Sequence, residues 1–129
     1  MISITEAEEI HQILINTFGG SQGIWDLNAL NSALARPFQI FGDKELYSTP
    51  TYKAAALIES IVVNHPFVDG NKRTGYVLMR LFLMSKGFDI EATQDEKYNF
   101  VISIASGNLK FDEIVQGLKN HIRTPLNLP

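Results

Sequence analysis

Apolar positions fall at helical spacing in a series of blocks separated by glycine, proline and short polar stretches. Ile10, Ile13, Leu14 and Phe18 form the first block; Ser3 or Thr5 caps it, Glu6, Glu8 and Glu9 enrich its first turn, and Gly19-Gly20 ends it. Asp26 caps a second helix carrying Leu27, Leu30, Ala33 and Leu34, which Pro37 closes. Thr49-Pro50 is an N-cap and first-turn pair for a third, running through Ala54–Val63 to about Asn64 or His65. A fourth opens near Gly70 or Asn71, with Asn71 the expected N-cap, carries the apolar run 76–84 and ends at Lys86-Gly87. Tyr98–Ala105, begun by Thr93 or Asp95, and Ile114–Ile122, opened by Asp112-Glu113, complete the set, and the tail 124–129 is expected to fray.

Phe38–Ser48 breaks the pattern. It has no helical period, its residues are aromatic and β-branched, and Gly42-Asp43 lies at its middle, so it reads as a short hairpin or extended flap, or as an irregular loop. The expected architecture is all-α: one helical bundle over 1–129 with a small flap at about 38–48. Glu59 and Arg80, the lone charges in the two central runs, pair with each other or face solvent. His11 is a packing or surface residue, because nothing near it completes a metal motif.

Composition narrows the classes. The 129 residues make one domain, and a formal charge of −3 argues against a broad nucleic-acid surface. There are no cysteines, which excludes disulfides, thiolate metal sites and a cysteine nucleophile. No secretory signal or bilayer-length apolar run is apparent, so the expected compartment is the cytoplasm, with no membrane.

The chemistry concentrates between the two central runs, in His65-Pro66-Phe67-Val68-Asp69-Gly70-Asn71-Lys72-Arg73-Thr74. Polar residues at that density, at the junction of two core elements, are unfavourable unless something binds there. Pro66 ends the preceding helix, and Gly70 permits a tight turn and a close approach. Lys72 and Arg73 stand at a helix N-terminus, where a cation opposes the dipole by about 0.3–1 kcal/mol and a bound anion reverses the sign. Asp69 beside a polyphosphate can hold Mg²⁺, and His65 can take a proton from a hydroxyl. A base, a metal ligand and a phosphate clamp together read as phosphoryl or nucleotidyl transfer.

This stretch resembles the Fic/Doc signature, His-Pro-Phe-x-(Asp/Glu)-Gly-Asn-Gly-Arg-x-x-Arg, in His65, Pro66, Phe67, Asp69, Gly70, Asn71 and Arg73. Lys72 replaces the second glycine of AMP-transferring Fic proteins and Tyr76 their second arginine; both departures are similar to the death-on-curing (Doc) branch, as is the run 27–37. The Doc resemblance implies a toxin of a toxin–antitoxin pair. It would move the γ-phosphate of ATP to a serine or threonine hydroxyl of a protein, a translation elongation factor, and arrest translation. It implies His65 as general base, Asp69 as Mg²⁺ ligand, and Gly70, Asn71, Lys72 and Arg73 around the phosphates. It also implies a flap that holds the target peptide, and a separate antitoxin whose disordered segment folds on binding. AMP transfer is the first alternative and a non-catalytic protein-binding module the second. The Fic inhibitory motif is matched by Thr5–Glu9 only in its first part, with Ile10 where glycine or asparagine belongs.

Overall fold

The computed structural model describes residues 1–123. Two helices form its spine: α3 (Pro50–Asn64) and α4 (Asn71–Ser85). Thr49 caps α3 by accepting from the Tyr52 N–H, and Pro50 occupies the first turn as its position predicts. Ala54, Ala55 and Ala56 are fully buried, and small side chains on successive positions let neighbours approach α3 from several sides. α4 packs along it with a close approach at Gly75, where an added Cβ would lie 2.8 Å from Val62 Cγ2. Leu78, Phe82 and Leu83 face this core, and burying each contributes about 1.5–3 kcal/mol.

The other helices wrap this pair. They are α1 (Ile4–Phe18), α2 (Leu27–Ala35), α5 (Gln94–Ala105) and α6 (Phe111–His121). Ser3 and Glu6 form a capping box at α1, and Thr93 and Glu96 do the same at α5. α2 passes through one 3₁₀ turn, Arg36–Phe38, into a hairpin of β1 (Ile40–Phe41) and β2 (Lys44–Glu45), joined by Gly42-Asp43 with Gly42 at φ 66°. The flap segment is therefore a hairpin. A second antiparallel pair, β3 (Asp89–Ile90) with β4 (Ile122–Arg123), ties the end of α6 to the chain leaving α4. The tail 124–129 lies outside the described residues. No described helix is long and apolar enough to cross a membrane.

Three expectations are corrected. The buried edge of α1 is Ala7, His11 and Ile15, while Ile13 and Phe18 are 62% and 60% exposed. The helix is rotated because His11 is drawn inward by partners far away in sequence. Glu59 and Arg80 neither pair with each other nor stand free: Glu59 meets Arg36 at 2.9 Å and Arg80 meets Asp89 at 2.7 Å. Asn71 is not the N-cap of α4; Gly70, at φ 74°, holds that place and Asn71 is the first helical residue.

Asp89 is buried and accepts from Arg80 Nε and Nη2 and from the Ile90 N–H. Arg80 foremost holds its carboxyl below the ordinary carboxylate range. A depressed carboxyl contributes stability above its unfolded pKa and loses it as pH falls through the folded value. Asp89→Asn should therefore lower stability by about 1–3 kcal/mol at neutral pH, less where the 40% exposure of Arg80 lets water screen the pair. The gap between variant and wild type should close on acidification, as urea titrations at pH 7 and pH 3 would show.

Candidate active site

The site is the loop between α3 and α4, and its geometry starts from His65. This is the only non-glycine among the described residues with positive φ, 50°. The αR region is disfavoured before Pro66, and the left-handed turn lets the His65 N–H still reach the Ile61 carbonyl at 3.2 Å. Strain of this kind persists only where the surroundings over-determine it. Here they do. The Pro66 carbonyl accepts from the Trp25 and Asp26 N–H groups, the Val68 N–H donates to the Gly23 carbonyl, and Ile24 bridges Phe67. The His65 side chain stands exposed at the head of the loop.

The loop closes through Asn71. Its Oδ1 accepts from the Phe67 N–H at 2.9 Å and its Nδ2 donates to the Phe67 carbonyl at 2.9 Å. The carboxamide is thus turned inward, and what Asn71 offers a bound anion is its backbone N–H. Phe67 is 2% exposed and stacks on His11, ring centroids 4.0 Å apart. His11 Nε2 donates to the Asp69 carbonyl at 2.8 Å, so this nitrogen carries the proton.

Asp69 projects from the loop with both carboxylate oxygens oriented. Oδ2 accepts from the Ser21 N–H at 3.1 Å and Oδ1 from the Gly70 N–H at 2.8 Å. Those two amides, Ser21 foremost, hold the carboxyl below its ordinary range, so it is ionised at neutral pH. Gly20 makes the approach possible: a Cβ there would lie 2.7 Å from Asp69 Oδ2. No group of three His, Cys, Asp or Glu that could hold a metal occurs among the described residues. The exposed, ionised and orientated carboxylate suits a cation shared with phosphate oxygens, the usual situation of Mg²⁺.

Beyond Asp69, α4 begins without a side-chain cap, which leaves its first-turn N–H groups for an anion. Lys72 and Arg73 are exposed beside them, and the Arg73 guanidinium lies 4.2 Å from the Phe18 ring centroid. The loop thus gathers His65, Asp69, Gly70, the Asn71 N–H, Lys72 and Arg73 at one end of α4. Tyr76 is elsewhere. Its ring lines a small cavity with Met79, Ile90, Phe100 and Leu118, its hydroxyl is buried without a partner among the described residues, and burial raises its pKa.

Residues 1–83 match the Fic/DOC family. The chain belongs to that family. Over 84 residues it is 37% identical to Toxin Doc of Mycolicibacterium smegmatis, across 60% of this chain and 65% of that protein. Over 53 residues it is 45% identical to a Fido domain-containing protein of Dictyostelium discoideum, across 38% of this chain and 37% of that protein. The chain spans less than two thirds of the length of either relative. The matched span holds α1 to α3 and nearly all of α4, so this Fic/DOC chain carries its loop and the bracing α1 within the shared part.

Sequence reading missed the braces. His11 lies 58 residues from Asp69, and no local pattern marks it. Ser21 contributes only a backbone N–H, to which side-chain identity is silent. Gly20 did leave a trace, since one glycine suffices to end a helix and here two follow α1.

Removing the Asn71 carboxamide leaves the Phe67 N–H and carbonyl buried without partners. Asn71→Ala should lower stability by about 2–4 kcal/mol, read from the denaturant midpoint, with Phe67 losing its fixed stack on His11. A loss below about 0.5 kcal/mol would mean that the loop closes by other means.

Proposed function

We propose that this chain is a Doc-like toxin that transfers the γ-phosphate of ATP to a serine or threonine hydroxyl of a protein, with a translation elongation factor as the target and arrested translation as the outcome. The observation that carries this reading is the distribution of cations over the first turns of α4. Lys72 and Arg73 are exposed at its N-terminus, while Tyr76 is folded towards the α5–α6 side, with Lys97 5.9 Å from its ring centroid. The site is therefore cationic close to His65 and has a tyrosine where AMP-transferring relatives place an arginine for the distal phosphates. That favours binding with the terminal phosphate nearest the loop.

In this reading His65 accepts the proton of the attacking hydroxyl as its oxygen bonds to the γ-phosphorus, and the bond to the β–γ bridging oxygen breaks to release ADP. The first-turn N–H groups after Gly70, with Lys72 and Arg73, hold the phosphate oxygens and stabilise charge that builds on them. Mg²⁺, held by Asp69 and the phosphates, would neutralise charge on the transferred group and the leaving ADP. The flap would supply the acceptor. In the β1–β2 register Ile40 and Glu45 form the pair whose backbone groups point outwards, which leaves an edge for an added strand of the protein substrate.

A separate antitoxin belongs to the same reading. Ile13 and Phe18 on α1, with Leu81 and Met84 on the adjoining α4, are exposed apolar side chains that an amphipathic partner helix can cover.

Incubation with Mg²⁺, a purified bacterial elongation factor and ATP labelled at the γ- or the α-phosphate tests the reaction. Label should reach the elongation factor from the γ-position only. His65→Ala should reduce transfer by about 10²–10⁴-fold while the urea midpoint stays close to wild type. Label from the α-position would make the protein an AMP transferase, and no label from either, in a bacterial lysate as well, would leave a binding module.

A further inference from the structure

The flap is held by one buried cation. Lys53, in the first turn of α3, is 8% exposed, and an ammonium group so placed needs all three of its donors matched. They are matched by the two roots of the hairpin and one of its strands. Nζ donates to the Pro37 carbonyl at 3.2 Å, ahead of β1, and to the Tyr47 carbonyl, after β2. Its third partner is Glu45 Oε1 on β2, at 2.9 Å. The same ammonium lies 5.4 Å from the ring centroid of Phe38, which packs edge-on against Phe82 of α4.

The roots are also packed, Tyr47 against Phe111 and Phe38 against Phe82, but the strands themselves are weak. Each strand has two residues, Ile40 and Phe41 are 66% and 83% exposed, and an isolated two-stranded ribbon is marginal in water. Arg36 assists at the roots through the Tyr47 hydroxyl, but its Nη1 is turned to Glu59, Ser60 and the Ala56 carbonyl on α3. Among the described residues, Lys53 alone joins both roots and β2 to one point.

We infer that Lys53 is a positioning residue for the protein substrate: its ammonium clamps both roots of the 38–48 flap and so sets the edge on which the acceptor segment is laid. This rests on the proposed reading for the flap's role, whereas the clamp itself does not. Lys53 lies twelve residues before His65 on one helix, about 18 Å along the axis, so it acts through the flap and touches no reacting atom. A methionine fills much the same volume and removes the charge, whereas arginine keeps donors for the carbonyls.

Hydrogen exchange and steady-state kinetics on the full chain separate the two layers. In Lys53→Met the Leu46 amide, which donates to the Gln39 carbonyl, and its hairpin neighbours should exchange about tenfold faster or more, with α3 and α4 protection retained. With the elongation factor as acceptor, KM should rise about tenfold and kcat stay within about twofold, and Lys53→Arg should recover most of both effects. Should Lys53→Met fail to fold, Glu45→Ala removes one arm from an exposed position and should still speed exchange in the hairpin alone. Unchanged exchange in the hairpin, or a loss of protection spread equally over α3 and α4, overturns the clamp. Faster exchange confined to the hairpin with KM unmoved overturns its role in substrate positioning. If wild type transfers no label, the proposed function falls while the exchange result still decides the clamp.

Discussion

The side-chain amide of Asn71 is the contact on which the site depends. It returns across the turn to both backbone groups of Phe67, so the chain leaving α3 reverses into α4 within a handful of residues and without a buried unpaired amide. Every functional group of the loop takes its position from that closure. His65 lies on one side of it in a strained left-handed turn, Asp69 and Gly70 are spanned by it, and the exposed cations follow it on the first turn of α4. The strain at His65 persists because the loop is pinned from several directions at once.

Much of that pinning comes from the N-terminal part of the chain. α1 sends His11 under Phe67 to the Asp69 carbonyl, and the glycine pair after α1 lets Ser21 present its N–H to the Asp69 carboxylate. The segment before α2 runs along Pro66 to Val68 and pairs with it. α1 is thus a structural wall of the site as well as a helix of the bundle, which accounts for a histidine on its buried edge. Electrostatics follow the same plan. Amides keep Asp69 ionised, while an uncapped helix start and two exposed cations stand nearby, so one fixed anionic group and several positive ones are gathered at the same end of α4.

The flap shows the same division of labour on a second element. Its strands are too short to hold their own shape, and the groups that fix it are basic residues rooted in the bundle, Arg36 at the end of α2 and Lys53 on α3. A short exposed hairpin is thereby joined to the helical core, at the end of α3 opposite to the His65 loop.

Local signals along the chain specify the helices, several of their caps and the loop's inventory of residues. Thr49-Pro50, Ser3 with Glu6, the glycine after Lys86 and the His65–Thr74 run are local signals, and local signals act through backbone stereochemistry and hydrogen bonds a few residues apart. Gly42-Asp43 marks the turn for the same reason, although the sequence leaves a hairpin, an extended flap and an irregular loop all open there. Packing settles what those signals leave open: which way Asn71 faces, that α1 buries His11 instead of Ile13 and Phe18, that Arg80 meets Asp89, that Glu59 meets Arg36, and that Lys53 bonds to both roots of the flap. Each of these is a polar group choosing among partners. The choice is made by which carbonyls, amides and carboxylates the packed helices bring within about 3 Å, a distance that sequence spacing does not encode.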